Sequence, residues 1–521
     1  MIKDVMRMQL EARLLNIRTG GNRIAILADE TASFLGARSS DRVKITCKNE
    51  SLIAILNVAS DFPCNYVGLY EEISATLHVG AGENVEVEPA EPPEALSHIQ
   101  AKIRGERLRQ NEVEVIVKDV VERHLSDVEL ASLVTALFIN GLSMDEIEAL
   151  SRAMVKTGRT LNLGKSPILD KHSIGGVPGD KTSLLVVPIV AAAGFTIPKT
   201  SSRAVTSSAG TADRVEVLCP VNLTIDEITE VVKKTSGCMV WGGALELAPA
   251  DDLFIQVEYP LAIDPLLLPS IMSKKKAIGA THVIIDIPTG RGAKIKTTLE
   301  AQDLANDFID LGKRLNMKVN CAVSFGEQPI GNAIGPALEA REALSTIMGK
   351  GPSDLMEKAT SIAGMLLEMV DIRNGKQRAQ DIIKSGKAEE KLREIIEAQG
   401  GDPKVMPEEI KIGDKKAPIA ADQDGEVFSI SNEEIARIAK EAGAPKEKGA
   451  GVLLKAKLGK HIRKGETVFE VYAERSTKLE AAVDLACKLK PFGLGGKPEE
   501  RMIIERIPTT IERRKAFMLE R

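Results

Sequence analysis

Asp170-Lys171-His172-Ser173-Ile174-Gly175-Gly176-Val177-Pro178-Gly179-Asp180-Lys181-Thr182-Ser183 runs straight into the apolar stretch Leu184–Gly194, and this passage decides the fold. A glycine-rich loop that opens an apolar helix is the joint of an α/β unit, with backbone N–H groups free to face an anion. The runs TSLLVVPIVAAAG (Thr182–Gly194), MVWGGAL (Met239–Leu245), THVIIDIPTG (Thr281–Gly290) and KVNCAVSFG (Lys318–Gly326) extend it. Each is apolar and ends in a glycine-bearing loop, with helical pattern between them. Upstream, Val113–Leu125, Asp127–Gly141 and Ser143–Gly158 place apolar residues at i, i+3 and i+4, and Ser126 and Ser143 are expected N-caps. Pro260–Ala280 is again helical, so the chain is expected to leave the sheet and return to the helical part, with a cleft between.

The ends of the chain read differently. Arg23–Ala28, Arg42–Cys47, Leu52–Leu56 and Glu83–Pro89 are short β segments, followed by an acidic, proline-bearing linker at Ala90–Leu96. Gly425–Ile430, Gly451–Gly459 and Thr467–Glu474 predict a second β-rich module, read as a structural barrel because it lacks a lipoyl-type lysine tip. The expected fold class is multidomain α/β. It comprises an N-terminal β-rich domain (1–88), a helical domain (95–166 plus about 251–280), an α/β phosphate-binding domain (167–250 plus about 281–405) and a C-terminal β-rich, α+β domain (415–505).

Composition narrows the function. The 521 residues are 43% hydrophobic and 27% charged with a net charge of −5, which excludes a disordered chain and argues against a nucleic-acid binder. Aromatics at 3% leave too few rings for base-stacking platforms. Six scattered cysteines without a CxxC pair point to reduced thiols rather than disulfides or structural zinc. The N-terminus lacks a secretory pattern, and the longest apolar stretch, Leu184–Pro198, contains Pro188 and falls short of a membrane span. The expectation is a soluble, cytoplasmic protein that binds neither membrane nor nucleic acid. Neither a repeat nor a metal-ligand spacing is present, so no metal and no cofactor is implied.

The first loop supplies Lys171 as a compact charge, Ser173 and Ser183 as donors, and a helix N-terminus at Ser183, though not at Walker spacing. A second element follows roughly thirty residues on, Thr200–Asp213, with seven hydroxyl side chains and one arginine in fourteen residues. Either element alone is an ordinary turn; two in succession mark a site for an oxygen-rich ligand. His172 is expected to be neutral and positional rather than a base.

The two elements closely resemble the nucleoside phosphorylase family that includes thymidine and pyrimidine nucleoside phosphorylases. The family pattern S-[GS]-R-[GA]-aliphatic, then T-x-D-x-aliphatic-E, is matched at Ser201–Val205 and Thr211–Glu216, and K-H-S-x-G-G-V at Lys171–Val177. The resemblance spans about 95 to 490. It implies that Lys171, Ser173, Ser183, Ser201 and Thr211 hold the attacking phosphate. It further implies that Gly176, Ser202, Arg203, Ala204, Val205, Thr206, Ser207, Thr211, Ser270 and Lys294 line the substrate site.

The departures carry as much. Members acting on pyrimidine nucleosides have an arginine on a strand here matched by Asp252–Glu258, and its place is taken by Val257. Their uncharged G-S-G-A-F run is Gly290-Arg291-Gly292-Ala293-Lys294, two cations that suit a 5′-phosphate. Pro178 lengthens the first loop, and the N-terminal β domain is extra. With these features the chain looks like the archaeal AMP phosphorylase branch, which converts a nucleoside monophosphate and phosphate to free base and ribose 1,5-bisphosphate. Inorganic phosphate would be the co-substrate and a homo-oligomer, dimer or larger, the expected assembly.

Such chemistry needs a protonated acid near the base, and Asp264 is the candidate, expected in an apolar setting made by Ala262, Ile263 and Leu266–Leu268. The bland alternative makes Asp264 an N-cap before Pro265. Ser270 could equally bond its own helix, and Lys294 be a solvated charge. Two rival functions stay open: a pyrimidine nucleoside phosphorylase without its arginine, and a non-catalytic nucleotide sensor. Gly164 and Gly242-Gly243 are candidate hinges for cleft closure.

Overall fold

A computed structural model describes residues 6–204 and 207–495. Val205 and Thr206, and the part of the C-terminal domain beyond 495, lie outside the described residues.

The N-terminal β domain is a closed six-stranded barrel. Its strands, Met8–Leu14, Ile24–Ala28, Arg42–Cys47, Glu50–Ala59, Tyr66–Leu69 and Asn84–Pro89, alternate inward and outward and wrap a core of Leu10, Leu27, Ile45, Leu56 and Val87. Met8–Leu14 and Tyr66–Leu69 were not anticipated: the first alternates Met8, Leu10, Ala12 and Leu14 with polar residues, as a half-buried strand does, and the second is short and pairs with the first to close the barrel. Arg42 joins the barrel to the next domain, donating to His124 O at 3.0 Å and pairing with Glu129.

Four helices between Ala95 and Thr157 form the helical lobe. Ser126 and Ser143 cap two of them in Ser-x-x-Glu boxes with Glu129 and Glu146, each hydroxyl accepting from the backbone N–H three residues on. Ala250, Leu253, Phe254 and Leu266 pack into the same core as Val113, Val117, Leu133 and Met154.

The sheet strands are parallel. Lys318–Phe325, His282–Thr289 and Leu169–Ser173 lie side by side in that order, and Ile197–Ser201 pairs with Gly237–Trp241. A parallel bridge between Ile168 and Thr196 joins the two groups. Helices cover both faces, which is why His282–Thr289 is buried almost end to end. Ser173, Ser201 and Thr289 all sit at the carboxyl ends of their strands, the edge at which open α/β sheets place their ligands.

Two expectations are corrected. Asp252–Glu258 is not a strand but part of the helix Pro249–Leu261. Pro249 stands in its first turn with Asp251 and Asp252, and Leu253, Phe254 and Val257 share the buried stripe; that period of four outweighs the short apolar run. Among the described residues the C-terminal module forms no closed barrel either. It consists of a four-stranded and a three-stranded sheet, with the helices Asn432–Glu441 and Ser476–Leu489. Its edge strand, Ala333–Ile334, comes from the sheet domain and pairs with Gly451–Leu454. Helical cover on these sheets buries the apolar faces that closure would otherwise hide.

Candidate active site

Three loops leave the carboxyl ends of three strands and meet. The first, residues 174–182, turns through left-handed backbone at Gly175, Gly176 and Gly179. At Gly176 the requirement is doubled, because a Cβ there would lie 2.6 Å from the backbone nitrogen of Lys294. The glycine loop and the Gly290–Lys296 loop are therefore in backbone contact.

Lys171 is buried beneath this loop, and burial pushes its pKa down while Asp180 and Asp286 oppose that effect. Against the cost of its own burial, Lys171 and Lys358 hold the Asp180 carboxyl well below the usual carboxylate range. Lys358 comes from the helix Ser353–Glu368, with its ammonium 2.7 Å from Asp286 and 3.8 Å from Asp180. Ser173 presents a buried hydroxyl that finds no hydrogen-bond partner among the described residues. Ser183 opens the buried helix Ser183–Ala192. A polar group left unpaired at a loop mouth is open to a ligand oxygen. His172 is held neutral by burial and by the cations Lys275 and Lys199.

The second loop follows Ser201, whose hydroxyl donates to Val240 O at 3.3 Å. Asp213 organises it: one carboxylate oxygen accepts from Ala204 N at 2.7 Å and from Gly210 N at 2.8 Å. Ser202 and Ala204 are thereby fixed in the turn, Ser207 donates to Ala209 O at 3.1 Å, and Thr211 begins the short helix Thr211–Val215. Arg203 is engaged within the protein. Its guanidinium binds both oxygens of Glu216 at 2.5 and 2.8 Å and lies 5.0 Å above the Trp241 ring. Arg203, opposing its burial and joined by Lys448, pulls Glu216 down to about 2.

The residue that ties the loops together is Arg214, to which the sequence alone assigned no role. It donates to Asp180 O at 2.7 Å in the first loop and to Ala209 O at 2.8 Å in the second, and pairs with the buried Glu339. Its place inside the T-x-D-x-x-E motif was the one available signal. Lys358, Asp286 and Glu339 carried none, since their partners lie far away in sequence.

The third loop brings Lys294 to Asp264. Lys294 Nζ is 3.6 Å from Asp264 Oδ2, with the side chains 49% and 47% exposed. The expected apolar sleeve around Asp264 is absent: Leu266 turns into the helical core, and the carboxylate faces a cation instead. The N-cap alternative is also overturned, because the following helix spans Leu267–Ala277 with Leu266 as its cap. Of the two loop cations, Arg291 pairs with Glu327 at 3.2 Å, leaving Lys294 to face the cleft. Ser270 is half-buried in the first turn of Leu267–Ala277. The former hinge candidates Gly164 and Gly242-Gly243 lie on connections that enter the strand Leu169–Ser173 and leave the strand Gly237–Trp241.

Glu258 was not anticipated. It is buried, accepts from Leu266 N at 3.3 Å across the turn that carries Asp264, and is pushed up to about 8 by burial and then by Asp264 and Asp251. The folded state thus keeps a proton that the unfolded chain releases in the ordinary carboxyl range. Stability contributed here is present at low pH and is lost as pH rises towards about 8. Glu258→Gln is expected to flatten this decline, so chemical denaturation at pH 6 and pH 9 will differ less in the variant than in the parent.

Among the described residues, the one close His/carboxylate group, Asp119, Glu122 and His124, lies at the barrel joint and away from these loops. No helix among them is long and apolar enough to cross a membrane.

Comparison with known proteins adds the following. Residues 165–389 match a glycosyl transferase family a/b domain, 96–158 the helical bundle domain of that family, and 427–490 a pyrimidine nucleoside phosphorylase C-terminal domain. An AMP phosphorylase of Thermofilum pendens is 50% identical over 96% of this chain and 98% of its own. Another, of Thermococcus kodakarensis, is 49% identical over 96% and 99%. The anthranilate phosphoribosyltransferase structure from Thermus thermophilus shares the fold of part of the chain, with a TM-score of 0.50 at 19% identity, covering 58% of this chain and 98% of that one.

Proposed function

We propose a division of labour for these residues from one premise: the chain belongs to the AMP phosphorylase family. It is a pentosyltransferase that takes AMP and phosphate to free adenine and ribose 1,5-bisphosphate. CMP and UMP are proposed as further substrates; Val257, in the place of the pyrimidine enzymes' arginine, gives no reason to prefer them.

In our reading the attacking phosphate is held by Lys171, Ser173, Ser183, Ser201 and Thr211, by charge and by position. Gly176, Ser202, Ala204, Ser207, Ser270 and Lys294 take the nucleotide, with Lys294 on the 5′-phosphate and Arg203 framing the loop from behind. Val205 and Thr206 complete the same loop in sequence. Asp264 protonates the departing base, as an oxocarbenium-like sugar is captured by phosphate from the opposite side. No cofactor is needed for this chemistry. The observation that supports the reading is the meeting of Gly176, Lys294 and Asp264, which sets an anion loop, a cation and a carboxyl around one space.

The test is phosphate-dependent base release from AMP, CMP, UMP and adenosine, measured side by side. Turnover of AMP without comparable turnover of adenosine is the expected result. Equal turnover of adenosine would make this an ordinary nucleoside phosphorylase, and no turnover at all would favour the sensor. We also propose a cytoplasmic homo-oligomer. The exposed Val128, Phe138 and Ile139 on one helix of the helical lobe give a second copy apolar area to cover. Sedimentation velocity checks this, a monomer at micromolar concentration being the adverse outcome.

A further inference from the structure

The residue assigned to the 5′-phosphate and the residue assigned to the proton are paired with each other. Lys294 Nζ stands 3.6 Å from Asp264 Oδ2, and both side chains are about half exposed. The backbone under Lys294 is held. Gly176 abuts its nitrogen, Lys296 donates to Ala293 O at 2.7 Å and Arg291 O at 3.0 Å, and a Cβ on Gly292 would stand 2.7 Å from the Asn432 amide nitrogen. Only the end of the lysine is free to change partner.

The other charges around Asp264 do not compete for this role. Glu258, on the helix Pro249–Leu261, stays neutral near pH 7 because burial, Asp264 and Asp251 push it up to about 8. Lys274 is taken by Asp251 and Arg291 by Glu327. Among the described residues, Lys294 is the cation in ion-pair reach of Asp264.

We propose that Lys294 is shared: in the empty cleft it pairs with Asp264, and the substrate's 5′-phosphate draws it away and leaves the Asp264 carboxyl free to serve the departing base. This rests on the roles assigned above to Asp264 and Lys294. A carboxyl engaged by an ammonium is not free to hydrogen-bond the departing base. A phosphate offers more charge and three acceptor oxygens, so it outbids one carboxylate for the ammonium. In the step itself the C1′–N bond breaks with its electron pair going to the base. The base takes the proton from the Asp264 carboxyl, and a phosphate oxygen forms the new bond to C1′. Asp264 is left as a carboxylate and regains from solvent the proton that inorganic phosphate gives up. A group remote from the reacting bond thereby raises the rate and not only the affinity. A nucleoside without the 5′-phosphate is penalised in kcat because its acid stays paired with Lys294.

The experiment compares the full-length enzyme with Lys294→Gln and Lys294→Arg, measuring kcat and KM for AMP and for adenosine at saturating phosphate across pH. Lys294→Gln is expected to lower kcat/KM for AMP by a factor of about 10 to 100, as for a lost charged hydrogen bond. The same variant is expected to raise kcat for adenosine by about fivefold, the upper end for a half-exposed ion pair. Lys294→Arg is expected to keep the parent pattern with both substrates. If AMP turnover falls and adenosine turnover does not rise, Lys294 reads the phosphate but does not hold the acid, and sharing is overturned while the proposed function stands. If AMP turnover is unchanged, both the 5′-phosphate role and sharing fall.

Discussion

Asp264→Asn is expected to lower kcat for AMP by about 10²- to 10⁴-fold, the range that general-acid assistance contributes. The amide is nearly isosteric and cannot donate a carboxyl proton to the leaving base. Because the side chain is 47% exposed and sits in a turn between two helices, the fold does not depend on it. Melting of the variant should match the parent within what a surface substitution allows, about 0.5 kcal/mol. The pairing with Lys294 makes a second readout available, since losing the carboxylate frees the lysine and KM for AMP should not rise. Adenine release under steady state, with melting followed by circular dichroism, checks all three. A variant that kept a tenth or more of the parent kcat would move proton donation away from Asp264.

Lys358→Met is expected to destabilise the sheet domain by about 3–5 kcal/mol, because removing one partner leaves buried carboxylates uncompensated. Lys358 is nearly buried and lies between Asp286 and Asp180, and both of these also face Lys171. Burial works against its charge, yet Asp180 and Asp286 outweigh burial and push its pKa up. Methionine fills the space without the charge. Thermal unfolding should fall by roughly 10 °C, and KM for phosphate should rise as Lys171 is drawn towards the freed carboxylates. The double variant Lys358→Met/Asp286→Asn should recover much of the stability, since Asp286 no longer carries an orphan charge. If the single variant melts with the parent, the network is not a support for the phosphate loop.

Both predictions rest on contacts between parts of the chain far apart in sequence, and that separation explains what was readable beforehand. The hydroxyl-rich loop and the glycine loop were legible, because each is a local cluster of residue types suited to one chemistry. The Ser-x-x-Glu caps at Ser126 and Ser143 were legible for the same reason: cap and partner are three residues apart. The strand that the resemblance implied at Asp252–Glu258 is a helix, in keeping with the helical reading of about 251–280, and its apolar stripe packs in one core with Val113, Val117 and Leu133.

Local chemistry along the chain was enough to establish the α/β class and the family resemblance, and to name candidates for the residues of the site. Tertiary structure alone decided their surroundings. It placed Asp264 against Lys294 rather than in an apolar sleeve, set Arg203 on Glu216 and Trp241, joined the two loops through Arg214, and put Lys358 between Asp180 and Asp286. The physical reason is that a residue's chemistry is carried by its own side chain. Its charge state and partner are set by groups that folding brings within a few ångströms, and no spacing in the sequence encodes them.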